Sequence, residues 1–217
     1  MISELTYIPD GQVRLEGMLE IPKGAPGVVL FAHGSGSSRL SPRNNYVARV
    51  LRDAGLGTLL IDLLTKYEDA DYAARFDIPL LTRRLLTATR WLRNDERTKP
   101  LAIGYFGAST GAAAALQAAA EDVKVAAVVS RGGRPDLAGE EALGRVACPV
   151  LLIVGGFDDV VIDLNRQAYR FLRCEKELII VPGATHLFEE PGTLEQAAKH
   201  AADWFGKLMP RSGAGPR

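Results

Sequence analysis

Leu101-Ala102-Ile103-Gly104-Tyr105-Phe106 runs directly into Gly107-Ala108-Ser109-Thr110-Gly111 and then into the alanine-rich stretch Ala112 to Ala120. The first segment is apolar almost throughout, as a strand buried on both faces of a sheet must be. Thr110 to Ala120 has the composition of a helix. Between them lies a tight turn, and small residues flank its serine because strand and helix backbones crowd there. Strand, turn and helix make one unit of a parallel sheet.

The same alternation continues on either side. Val13 to Ile21 reads as an early antiparallel strand, with apolar residues at alternate positions. Val28 to Ala32, Gly57 to Ile61, Val125 to Ser130, Val150 to Val154 and Leu178 to Val181 read as further strands. Asn44 to Ala54 (closed by Gly55), Ile78 to Leu92, Val161 to Leu172 and Leu194 to Leu208 read as helices. Such alternation predicts an α/β fold, a mostly parallel central sheet with helices on both faces. Residues 1–209 are expected to form one domain, and 210–217 a disordered tail. Thr65 to Asp77 lacks a period and reads as a solvated excursion.

Composition narrows the partners. The 217 residues carry a formal net charge of +0, with 47% hydrophobic and 24% charged residues. Nothing overall points to nucleic acid or to an anionic membrane surface. No apolar run is long enough to span a bilayer, and Met1-Ile2-Ser3-Glu4 lacks the features of a signal peptide, so a cytoplasmic location is the default expectation. Cys148 and Cys174 sit in no metal-ligand or redox spacing and read as inert thiols. No sequence feature decides the oligomeric state.

In sheets of this kind, ligands bind beyond the carboxyl ends of the strands. The residues expected there are His33 to Ser37, Asp62, Gly107 to Ser109, Arg131, Gly155 to Asp159 and Pro182 to His186. A serine hydroxyl needs a base within hydrogen-bond reach, and a third group holding that base in the right tautomer. Ser109 is the candidate nucleophile; the alternative is a glycine turn with a serine helix cap. Of the three histidines, His186 follows the last strand and is favoured as base over His33. The acid is Asp158 or Asp159, and one of them would merely cap the next helix. Asp62 precedes the serine and suits the order less well. The N–H groups of Thr110 and Ser35 are the candidate oxyanion donors, and glycine around Ser35 lets the backbone approach. His33, Arg39 and Arg131 are candidate substrate contacts, with Arg43 nearby. Arginine forks there would favour an anionic group, unless they pair with local carboxylates.

With these residues in place, the chain resembles the α/β-hydrolase superfamily, most closely its dienelactone hydrolase-like branch. The resemblance rests on Leu30 to Gly36, Gly107 to Gly111, Gly155-Gly156-Phe157-Asp158 and Gly183-Ala184-Thr185-His186, and runs from about Val28 to Phe205. It implies an α/β-hydrolase fold without a large cap domain. The branch places its acid in a Gly-x-x-Asp-x-x-Val pattern, which Gly155, Asp158 and Val161 match, so the resemblance selects Asp158. Dienelactone hydrolases proper use a cysteine nucleophile, whereas Ser109 stands in this elbow. That departure weakens transfer of the lactone substrate and favours a carboxylesterase acting on a small-molecule ester; a thioesterase or lactonase would use the same residues, and the sequence does not separate them. A reading of another class is a non-catalytic ligand-binding module on the same fold. No metal or organic cofactor is expected.

Overall fold

The computed structural model describes residues 1–209, so the expectation for the tail lies outside the described residues. In chain order the elements are β1 (Ile2–Asp10), β2 (Val13–Ile21), β3 (Gly27–Ala32), α1 (Pro42–Asp53), β4 (Gly57–Ile61), α2 (Lys66–Asp69), α3 (Ile78–Asn94) and β5 (Ala102–Ala108). Then follow α4 (Thr110–Glu121), β6 (Ala127–Arg131), α5 (Glu140–Arg145), β7 (Val150–Gly155), α6 (Asp159–Phe171), β8 (Lys176–Val181) and α7 (Thr193–Leu208). The eight strands form one sheet in the order β1-β2-β4-β3-β5-β6-β7-β8. β2 pairs antiparallel with β1 and with β4; every later pairing is parallel. This is the α/β-hydrolase fold.

Strand side chains divide between two faces with the period of two that the pleat imposes. Val28, Leu30 and Ala32 of β3 join a core with α3, α4, α5 and the end of α6. Val29 and Phe31 join the opposite core, with α1 and α7. Because both faces are covered, the central strands are mostly apolar and so legible, with Thr58, Ser130 and Arg131 the buried polar or charged exceptions. β1 is different. Only Thr6 and Ile8 of its residues are buried, while Leu5 and Tyr7 stand exposed. It is an edge strand with a weak apolar signal, held to β2 through the turn at Gly11 (φ 61°). The apolar pattern predicts no strand there.

Thr65 to Asp77 is also more ordered than its composition suggests. Thr65 and Glu68 form a reciprocal capping box over α2, and the Asp77 side chain accepts from Leu80 N to start α3. No cap domain is built on the sheet among the described residues, and no helix there is long and apolar enough to cross a membrane.

Chain direction across the sheet reverses between β3 and β5. From β3 the chain passes through α1 to β4 on one side, whereas β5 and its successors lie on the other. A crevice opens at such a reversal, beyond the carboxyl ends of the two strands.

Candidate active site

Ser109 closes β5 at φ 50° and ψ −123°, a conformation costly for any residue with a side chain. Its side chain makes no capping bond to α4, so it does not serve as a simple helix cap. The turn is held from outside: the Ser109 carbonyl accepts from Ala112 N (3.1 Å) and from Arg134 N (3.0 Å). Two glycines make the turn possible. A Cβ on Gly107 would lie 2.7 Å from Ala112 N, and one on Gly111 would run into the carbonyls of Ala32 and His33. Gly34, in the loop after β3, has the same relation to Ser109: its Cβ would sit 2.9 Å from Ser109 Cβ.

The candidate acid and base meet at the ends of β7 and β8. His186 Nδ1 lies 2.6 Å from Asp158 Oδ2. With its proton on Nδ1, the ring donates to the carboxylate and keeps a lone pair on Nε2. Asp159 instead opens α6, where an acidic side chain suits the helix N-terminus. The two turns are tied through backbone. Gly156 N donates to the Val181 carbonyl (2.8 Å) and Phe157 N to that of Ala184 (2.9 Å). A Cβ on Gly155 would lie 2.5 Å from the Ala184 oxygen. Glu190 closes the histidine loop by accepting from Thr185 N and Oγ1. These bonds hold its exposed carboxyl below the usual value, the Thr185 hydroxyl contributing most.

Ser109 and His186 line one cavity of about 270 Å³ with Gly34, Ser35, Arg43 and Arg131. Among the described residues no hydrogen bond joins the Ser109 hydroxyl to the ring. Such contacts often tighten only when substrate binds. Thr110 N begins α4 and so has no intrahelical partner. Ser35 N is engaged, donating to Thr110 Oγ1 at 3.0 Å. That side-chain contact between the two oxyanion candidates is one the sequence does not signal.

His33 and Arg39 do not line this cavity. His33 is buried, its Nδ1 2.9 Å from the Gly34 carbonyl and its Nε2 accepting from Leu63 N at 3.0 Å. Burial pushes its pKa down, against the opposing pull of the Gly34 carbonyl. A neutral imidazole thus clamps the loop after β3 to the loop after β4. Arg39 is paired with Asp62 (2.5 Å) and Glu16 (2.7 Å), so it is no substrate fork and Asp62 is no partner of His186. Arg131 does face the cavity. Its Nη2 donates to Asn44 Oδ1 at 3.3 Å, while Nη1 is buried without a partner. Asn44 was not anticipated; the Ser41-Pro42 start of α1, which places it, is a legible helix-opening pattern. No three His, Cys, Asp or Glu side chains among the described residues converge as a metal site requires.

The model of the dienelactone hydrolase family matches residues 15–209. The chain belongs to the dienelactone hydrolase family. A dienelactone hydrolase from Anabaena variabilis, solved by crystallography, is 55% identical with a TM-score of 0.93, covering 96% of this chain and 98% of that one. Est1E from Butyrivibrio proteoclasticus superposes with a TM-score of 0.80 at 16% identity, over 94% of this chain and 98% of its own. That likeness is one of fold. A Mycobacterium tuberculosis protein provisionally named a phosphoribosyl transferase is 59% identical over 203 residues, which is 93% of this chain but 46% of that protein. The chain therefore spans about half the length of the curated relatives it matches.

Proposed function

We propose that the chain is a serine esterase that cleaves a small carboxylic ester through an acyl-enzyme. The observation that carries this reading is the 2.6 Å contact of His186 Nδ1 with Asp158, beside a cavity into which a strained elbow delivers Ser109. Ser109 Oγ attacks the ester carbonyl while His186 Nε2 takes its proton. The Asp158 carboxylate stabilises the imidazolium that results. The carbonyl oxygen, now negative, is held by Thr110 N–H and by Ser35 N–H, which passes from the Thr110 hydroxyl to the stronger, charged acceptor. On collapse the imidazolium returns the proton to the leaving oxygen. Water then repeats the sequence and releases the acid. A cavity of about 270 Å³ lies at the small end for ligand pockets and suits short acyl groups.

Hydrolysis of a cyclic ester is the second reading, favoured by the family and by the name of the Anabaena variabilis protein. It uses the same residues, and a panel of lactones and acyclic esters separates the two. The test of the whole proposal is labelling by a fluorophosphonate probe, together with turnover of short- and long-chain aryl esters. Labelling at Ser109 and preference for the short chains are expected. Absent labelling, or labelling unchanged in Ser109→Ala, overturns it.

A further inference from the structure

Beside the nucleophile the cavity carries more positive charge than ester cleavage requires. In the β5–β6 register Ala108 pairs with Arg131, so this guanidinium arises next to the elbow, one residue from Ser109. Arg131 is 8% exposed and has no carboxylate partner among the described residues; its Nη1 is buried and unpaired. Its remaining company is Asn44 and the faces of Phe106 and Phe188, each 5.9 Å from the guanidinium carbon. Burial, and then the charge of Arg43, lower its pKa to about 10, which leaves it cationic at neutral pH. An arginine removed from water without an anion is costly, and the cost is recovered when an anion arrives.

Other donors face the same space. Arg43 lines the cavity, and its ion pair is a 3.3 Å contact to the exposed Glu189. The amino end of α1, a 12-residue helix with no acidic residue in its first turn, also opens there through Ser41, Arg43 and Asn44. Pro42 has no N–H and Asn44 N is capped by the Ser41 hydroxyl, so Arg43 N is the free first-turn donor there, and the helix dipole adds to its pull on an anion. Ser37 and Ser41 add hydroxyls. One carboxylate would neutralise Arg131 alone and leave Arg43 on its exposed Glu189 contact. A phosphate dianion matches both, and its oxygens suit the forked and hydroxyl donors together.

We propose that the cavity holds a phosphate subsite, formed by Arg131, Arg43 and the amino end of α1, and that the ester cleaved at Ser109 carries a phosphate group there. This deepens the esterase reading and rests on it for the reaction, but not for the binding. The experiment compares phenyl acetate, 4-acetoxybenzoate and 4-acetoxyphenyl phosphate in the wild type, Arg131→Met and Arg43→Gln. Wild type should favour the phosphate-bearing ester by kcat/KM, and inorganic phosphate should inhibit phenyl acetate hydrolysis competitively. Arg131→Met should lower the ratio of phosphate-bearing to neutral ester about 10- to 100-fold, the loss expected for a buried charged hydrogen bond. Arg43→Gln should lower it less. Equal kcat/KM on all three esters in the wild type, or an equal loss on all three in Arg131→Met, overturns the subsite. Preference for 4-acetoxybenzoate overturns the phosphate assignment. Should Arg131→Met not fold, the wild-type ratio and its fall in Arg43→Gln decide. A thermal shift with inorganic phosphate, present in the wild type and reduced in Arg43→Gln, reads the subsite without turnover. It therefore separates failure of the subsite from failure of the esterase reading.

Discussion

Single residues carry unequal parts of this site, and neighbours in sequence diverge sharply. Asp158 Oδ2 accepts from His186, while adjacent Asp159 heads a helix. Asp158→Asn should therefore lower kcat roughly 10,000-fold, because the amide favours the wrong imidazole tautomer. Asp159→Asn should cost only a few-fold at most, since it alters a helix end. Steady-state kinetics on one aryl ester check both, and a similar loss in the two variants would refute the division. His33 gives a second prediction. Its pKa is lowered by burial, so the unfolded chain binds a proton before the folded one as pH falls. The stability that this clamp confers is complete above the ordinary histidine value of about 6.5 and declines below it. Urea midpoints should fall between pH 7 and pH 5.5, and by less in His33→Gln. The opposite trend would show that another group governs the acid limb.

Elements show where close approach, and not propensity, sets the geometry. Gly107 and Gly111 each stand where a Cβ would meet backbone, the crowding that the small residues around Ser109 signal in the sequence. Gly111→Ala should cost about 4 kcal/mol or more, in the range reserved for severe steric conflict, and should abolish activity. Chemical denaturation and fluorophosphonate labelling measure the two effects, and a stable, labelled variant would disprove the constraint. Between α3 and β5 a buried pair gives an asymmetric prediction. Thr89 Oγ1 lies 2.7 Å from Tyr105 Oη and also donates to the Leu85 carbonyl. Tyr105→Phe leaves Thr89 satisfied, whereas Thr89→Val leaves a buried phenol without its partner. The second should cost about 1–3 kcal/mol and more than the first, as measured by urea unfolding. Much at this scale was legible: β3, β4, β5, β6 and β7 are mostly apolar because both faces are covered. β1 was not, because an edge strand buries few side chains and alternates weakly.

Across the whole molecule, the layers on either side of the sheet are held close by small residues. Gly104 lets Phe205 of α7 rest on β5, where a Cβ would come within 2.7 Å of the ring. Gly104→Val should overpack this layer by about 1–3 kcal/mol, lowering Tm by roughly 2–12 °C in a chain of this size. Calorimetry checks it, and an unchanged Tm would mean that α7 shifts freely. The sequence by itself determined the α/β alternation, the elbow around Ser109 and the appearance of serine, aspartate and histidine in that order at strand ends. These are local properties, written in periodicity and in the demand for small residues at tight turns. Only the tertiary structure decided which charges are engaged. Arg39 meets Glu16 and Asp62, while Arg131 meets Asn44 and no carboxylate. Those partners lie 23 to 87 residues apart in the chain, and no local pattern encodes a contact made by strands and loops that meet only when the sheet closes.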